Sequence, residues 1–250
     1  MVKYELLSKW EIPKMAQIAS ELIKSILLGK KNVRIKLLGD SITHGVGGTG
    51  FCQNGEHIVD RFSRNPDGFC WAKLFADLMI EKYGATVVNN ACTGTNIQYI
   101  NRFFDELVEE SDDIVICTIG TNNRHQYFKD APKRTADEMK DIFRENIRIL
   151  VGKLRDRGIP FIFMANIPAS AANEMDGADN WRIIHMNDIN DLYKEMADEL
   201  DFPLVSLYDR FSAYIEENGI ELGSLLKDGL HPNDDGYRVM FRLITEALKV

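Results

Sequence analysis

Residues 37–50 read LLGDSITHGVGGTG, and two incompatible chemistries can be read from them. Gly45, Gly47 and Gly50 spell G-x-G-x-x-G, the pattern that carries a dinucleotide pyrophosphate in a Rossmann sheet. Ser41, after Gly39 and Asp40 at the end of an apolar run, stands where a nucleophile would. A phosphate loop must follow its strand directly and open a helix, so that the helix N-terminus meets the pyrophosphate. Here the strand ends at Leu38, yet the first glycine of the pattern is Gly45. The chain then runs FCQNGEHIVDRFSRNPDG from Phe51, with no clean helical start. Where an acid should end a second strand there is only Asp67 in a polar turn, and no GK[ST] makes a Walker A loop. The glycines therefore read as a flexible loop, and the serine reading remains.

Outward from this stretch, short apolar β-type runs alternate with amphipathic ones. The strand runs are Val33–Leu38, Thr86–Asn89, Ile114–Ile119, Phe161–Ala165 and Leu204–Leu207. Helical spacing appears over Lys14–Leu28, Trp71–Tyr83, Ile97–Glu109, Ala136–Arg157, Trp181–Glu199 and Gly236–Leu248, the last capped at Asn233 or Asp234. In the first of these, Met15, Ile18, Ala19, Leu22, Ile23 and Ile26 form one helix face, expected to pack on the outside of the sheet. Strands such as IVICTI have no polar face, which calls for a parallel sheet covered by helices on both sides. With no linker, repeat or low-complexity segment, residues 1–250 are expected to form one domain. Residues 1–30 are then a helical extension packed on it, residues 45–69 a loop insert, and 122–133 a second long loop.

Composition narrows the function classes. Of 250 residues, 45% are hydrophobic and 27% charged, ordinary for a globular protein with a full core. The 30 basic and 38 acidic side chains give a formal charge of −8 without a long basic run. That argues against nonspecific nucleic-acid binding. No apolar run is long enough for a membrane span, and Glu21 and Lys24 interrupt the Ile18–Leu28 segment that a signal peptide would need. A cytoplasmic enzyme with no membrane or nucleic-acid partner is the expectation. Cys52, Cys70, Cys92 and Cys117 include no CxxC pair; Cys52 and Cys70 bracket a polar loop that a disulfide could close, but reduced thiols are the expectation. Cys52, His57 and Cys70 are the one candidate metal set, but their spacing matches no common zinc module, so no metal is expected.

In an open parallel sheet, the loops after the carboxyl ends of the strands converge on one crevice. Ser41 follows the first strand, Gly94 the second (in NNACTGTN) and Asn122 the third (in TIGTNN). DGLHP adds Asp228 and His231 before the final helix. Nucleophile, base, orienting acid and oxyanion donors are thereby available at one place.

These four blocks, GDSIT (Gly39–Thr43), the glycine of TGTN (Gly94), GTN (Gly120–Asn122) and DGLHPND (Asp228–Asp234), occur in order and span nearly the whole chain. In them the sequence resembles the SGNH, or GDSL-type, hydrolase superfamily. The resemblance implies a three-layer α/β/α sandwich, flavodoxin-like, with a five-stranded parallel sheet in the order 2-1-3-4-5. It implies Ser41 as nucleophile, His231 as base and Asp228 as the acid that orients the imidazole. The Ser41 and Gly94 backbone N–H groups and the Asn122 side-chain amide would form the oxyanion hole, with Gly94 sparing the substrate a side chain. It implies no cofactor. The activity it implies is that of a serine esterase on small acyl esters, O-acetyl groups on a carbohydrate above all. Lipase, thioesterase or acyltransferase action is the alternative on the same triad, and a non-catalytic carbohydrate-binding relative the rival outside it. No G-x-S-x-G elbow occurs, which separates the chain from α/β-hydrolases. One departure is Asn123, where the family often has an aspartate that braces the loop.

Asp40, His44 and His125 are candidate substrate contacts. Asp40 is better suited to capping or bracing its loop, and His44 is a rival base. His57 and His185 read as surface or packing residues. Phe51, Phe62 and Phe69 are candidates to line a pocket, while Trp71, where a helix starts, reads as core.

Overall fold

A computed structural model describes residues 14–52, 68–125, 134–174 and 182–250. Five strands, β1 (Arg34–Gly39), β2 (Thr86–Asn89), β3 (Ile114–Thr118), β4 (Phe161–Ala165) and β5 (Leu204–Ser206), form one parallel sheet in the order β2-β1-β3-β4-β5. The register pairs Leu37 with Asn89 on one side and with Ile116 on the other. The reversal of strand order lies at β1, between β2 and β3. That is the switch point where adjacent loops part and leave a crevice.

Alternate side chains of each strand enter different cores, as the two-residue period requires. Ile35, Leu37, Ile114, Ile116, Ile162 and Met164 pack under the helices Lys14–Gly29, Trp71–Tyr83, Leu207–Asn218 and Asp234–Leu248. Val115, Cys117, Phe161 and Phe163 face the other way, under Ile97–Arg102, Phe104–Leu107, Ala136–Asp156 and Met186–Leu200. The result is three layers, α/β/α, as expected from strands with no polar face.

Several boundaries differ from the sequence reading. The Ile97–Glu109 pattern breaks at Phe103 into two short helices, although Ile97, Ile100, Phe104 and Leu107 keep the buried spacing across the break. A helix over Leu207–Asn218 follows β5 with no connecting residue, where the sequence reading gave Leu207 to the strand and assigned nothing beyond it. Ser206 ends the strand and starts the helix at once, its Oγ accepting from the Asp209 N–H at 3.1 Å. The Trp181–Glu199 pattern begins only at Met186, after the Asp188 carboxylate has taken the His185 N–H at 2.8 Å. The first helix buries Ala16, Ala19, Ser20, Ile23 and Leu27 and packs against the final helix and β5. Its buried stripe is turned slightly from the expected one, leaving Met15, Ile18, Leu22 and Ile26 half-buried.

Candidate active site

At the carboxyl end of β1 the chain turns within two residues. A Cβ on Gly39 would lie 2.6 Å from Thr43 Oγ1 and 2.7 Å from the Thr118 carbonyl oxygen, so only glycine lets the turn close there. Asp40 then caps a four-residue helix, Ser41–His44, its Oδ1 accepting from the Ile42 N–H at 3.0 Å. Gly45, at φ +105°, ends the helix by donating to the Ser41 carbonyl. Ser41 thus sits at the top of the central strands, at a helix N-terminus.

Ser41 Oγ lies 2.8 Å from His231 Nε2, and His231 Nδ1 lies 2.7 Å from Asp228 Oδ2. The polarity of this chain follows from its end. The carboxylate accepts, so Nδ1 carries the hydrogen, Nε2 presents a lone pair, and the serine hydroxyl donates to it. Asp228 Oδ1 also accepts from the Leu230 N–H at 3.0 Å and the His231 N–H at 2.8 Å. Burial pushes the Asp228 carboxyl up, but these hydrogen bonds and the imidazole outweigh it and hold it below the usual carboxylate range.

The turn carrying Asp228 and His231 is fixed from three sides. Asn233 caps the final helix through the Gly236 N–H at 3.0 Å, and the one hydroxyl hydrogen of Tyr237 is shared between the carbonyls of Val46 at 2.7 Å and Ile42 at 3.1 Å. Asn173, after β4, donates to the Asp228 carbonyl at 3.0 Å, and Ser170 N–H donates to the Gly229 carbonyl at 2.8 Å. The glycine loop lies against the third side. A Cβ on Gly47 would come within 2.3 Å of the Pro232 carbonyl oxygen. Of the three glycines in the G-x-G-x-x-G pattern, Gly47 therefore serves close packing of the loop on the His231–Pro232 backbone.

Gly94 and Asn122 reach the same end of the sheet from β2 and β3. Asn122 lies buried in a 3-10 turn, Thr121–Arg124, and its Nδ2 donates one hydrogen to the Thr95 carbonyl at 2.8 Å, which ties the two loops together. Gly94 has φ +79°, and a Cβ there would meet nothing within 4 Å. Glycine is required here by backbone conformation, not by crowding from the protein. Among the described residues, neither the Ser41 nor the Gly94 N–H donates to a protein acceptor. Asn123, the departure from the family's aspartate, still braces this corner, its Oδ1 accepting from the Ile97 N–H at 3.1 Å and its Nδ2 donating to Gln98 Oε1 at 2.7 Å.

Residues 37–239 match the GDSL-like lipase/acylhydrolase family. The chain belongs to that family. It is a carboxylic ester hydrolase of the GDSL type. Its fold is shared with a crystal structure of an acetylxylan esterase from Geobacillus stearothermophilus, at a TM-score of 0.64 and 20% identity over 88% of this chain and 95% of that one. A GDSL-like lipase structure from Parabacteroides merdae gives a TM-score of 0.66 at 16% identity, covering 88% and 97% of the two chains. An α/β hydrolase enzyme from the metagenome of Lake Arreo, Spain, gives 0.64 at 19%, covering 88% and 96%. No curated protein matches the chain in sequence.

Within this GDSL hydrolase the three candidate substrate contacts each have protein partners. Asp40 is fully buried, and its second oxygen accepts from Asn166 Nδ2 at 2.9 Å, so it braces the nucleophile turn and is not open to a substrate. Burial raises its carboxyl against the donors Ile42 N–H, Thr121 and Asn166 and the field of His231. His44 is 4% exposed and its Nδ1 is 3.0 Å from Thr93 Oγ1, which removes that nitrogen as a rival base. His125 is half-buried in a bridge to Arg182, whose Nε donates to its Nε2 at 3.2 Å. Burial, with Arg124 and Arg182 beside it, pushes that imidazole down to about 4.

Of the remaining candidates, Trp71 is core, Cys52 is exposed and Cys70 buried, and both are free thiols. His57 and Phe62 lie outside the described residues. Among the described residues no cluster of three or more His, Cys, Asp or Glu could hold a metal, and no helix is long and apolar enough to cross a membrane.

Asn166 is a site residue the sequence reading missed. Its Nδ2 is shared between Asp40 Oδ2 and Thr121 Oγ1, the latter at 2.6 Å, and so joins the nucleophile turn to the Asn122 turn. The signal was present, since Asn166 follows β4 directly, as Ser41, Gly94 and Asn122 follow their strands.

Proposed function

We propose that the protein is a serine esterase that removes small acyl groups, O-acetyl in particular, from a carbohydrate, with residues 1–250 acting as one hydrolase domain. The observation that carries the mechanism is the unbroken hydrogen-bonded chain from Asp228 Oδ2 through His231 to Ser41 Oγ, at 2.7 and 2.8 Å. His231 takes the hydroxyl proton as Ser41 attacks the ester carbonyl, and Asp228 stabilises the imidazolium that forms. The carbonyl oxygen becomes an anion facing the Ser41 and Gly94 N–H groups and the second amide hydrogen of Asn122. Each such donor is worth about 3 kcal/mol in the transition state. Collapse breaks the C–O bond, His231 returns the proton to the leaving alcohol, and Ser41 keeps the acyl group. Water, deprotonated by the same imidazole, then releases the carboxylic acid and restores the serine. No cofactor enters this scheme.

The acetyl and carbohydrate assignments are supported by the likeness in fold to acetylxylan esterases and by site loops rich in Asn, Asp and Arg. A complete Ser-His-Asp set counts against a non-catalytic carbohydrate-binding relative. The test is turnover of p-nitrophenyl acetate against longer-chain esters, and acetate release from acetylated xylo-oligosaccharides, by wild type and Ser41→Ala. Loss of turnover in Ser41→Ala, with acetyl preferred, is expected. Equal rates for the two proteins would overturn the mechanism, and a preference for long chains would move the assignment to a lipase.

A further inference from the structure

We propose that His44 is a positioning residue for the oxyanion loop, holding through Thr93 the backbone that presents the Gly94 N–H. The proposal rests on the reading of Gly94 as an oxyanion donor. His44 lies three residues after the nucleophile, at the last position of the Ser41–His44 helix. Its Nδ1 accepts from the Thr93 N–H at 3.2 Å and lies 3.0 Å from the Thr93 hydroxyl. A backbone N–H can only donate, so Nδ1 must present a lone pair and the ring hydrogen must be on Nε2. His44 is therefore neutral, with one tautomer fixed by the loop it holds.

Other contacts secure the root of that loop. Cys92 N–H donates to the Gly39 carbonyl at 3.1 Å, and Asn89 Nδ2 donates to the Thr43 carbonyl at 2.9 Å. Neither reaches beyond Cys92. Among the described residues the His44 contact is the last before Gly94, so the Thr93–Gly94 peptide is held by His44 on one side and, on the other, by Thr95, tied to the Cys92 carbonyl at 3.2 Å and to Asn122. The ring of Phe51 stands edge-on to His44, with centroids 5.1 Å apart, and confines the imidazole. Nucleophile and oxyanion donor are thus held by one short helix, so that a shift of one carries the other. Displacement of a catalytic group by about 1 Å can cost on the order of a hundredfold in rate.

The test compares His44→Leu, which removes the acceptor, with His44→Asn, whose side-chain oxygen can occupy the place of Nδ1. On p-nitrophenyl acetate, His44→Leu is expected to lose about tenfold or more in kcat with KM within about twofold, and His44→Asn to recover to within about threefold of wild type. In nitrogen-15-labelled protein the Gly94 amide resonance should move in His44→Leu and return in His44→Asn. If His44→Leu does not fold, His44→Gln, which carries its oxygen beyond the Nδ1 place, should show the same loss. Equal losses in the Leu and Asn variants, a change confined to KM, or an unmoved Gly94 resonance would each overturn the proposal. Ser41→Ala, assayed in parallel, reads the triad itself. Its failure to lose activity would undo the esterase mechanism, while the Gly94 resonance reports on His44 independently of turnover.

Discussion

Replacing Asn122 with alanine should separate chemistry from stability, because the two hydrogens of its amide have different tasks. One is given to the Thr95 carbonyl at 2.8 Å, a hydrogen bond in which Asn122 is only 8% exposed and Thr95 is fully buried. Removing it leaves that carbonyl without this donor, at a cost of about 1–2 kcal/mol. For a domain of this size each kcal/mol lowers Tm by roughly 2–4 °C, so a fall of about 2–8 °C is expected. The other hydrogen is the proposed third donor to the oxyanion. Its loss should reduce kcat by about 100- to 1,000-fold, or roughly 3–4 kcal/mol. KM should stay close to wild type, since that charge exists only in the transition state. The assay is steady-state hydrolysis of p-nitrophenyl acetate, with a thermal melt on the same preparations. A folded Asn122→Ala protein with kcat within about threefold of wild type would refute the reasoning. A rise in KM alone would place the amide on the ground-state substrate instead.

Gly47→Ala should lower kcat, because its Cβ would fall 2.3 Å from the Pro232 carbonyl and push on the His231 turn. Gly50→Ala, whose Cβ would meet nothing nearer than Gly68 Cα at 3.9 Å, should cost only the left-handed backbone strain of about 1–2 kcal/mol and leave turnover alone. Equal effects on turnover, measured by the ester assay on folded variants, would count against a packing role for the glycine motif. A pH effect on stability follows from His125, whose imidazole is lowered from 6.5 to about 4. Between these values the unfolded chain binds a proton that the folded one refuses. The His125 contribution is thus intact above about pH 6.5 and lost as pH falls toward 4, up to about 3 kcal/mol. Urea unfolding at pH 7 and pH 4.5 should show a smaller drop for His125→Gln than for wild type, and parallel drops would exclude the effect.

The sequence by itself determined the layers, the strand set and the candidate reacting residues. Burial on both faces demands unbroken apolar runs, and Val115, Ile116 and Cys117 carry that requirement locally. The Ser41, Gly94, Asn122 and Asp228–His231 blocks were equally legible, because each is a short motif at the end of an element. Helix limits were legible only in part. The break at Phe103 leaves the buried spacing intact, and the helix from Leu207 starts on a residue that also completes an apolar strand run.

Tertiary structure alone decided what the neighbours of those blocks do. Asp40, His44 and His125 are polar residues beside a site, and their sequence does not say whether they face solvent or protein. Asp40 is closed off by Asn166, 126 positions away, and His44 by Thr93, 49 positions away. Gly47 owes its place to Pro232. These contacts are long-range hydrogen bonds and close approaches, which depend on where the parallel sheet brings distant loops together. No local propensity encodes them, so LLGDSITHGVGGTG points to its serine as the candidate nucleophile while the fold gives its histidine and its glycines their neighbours.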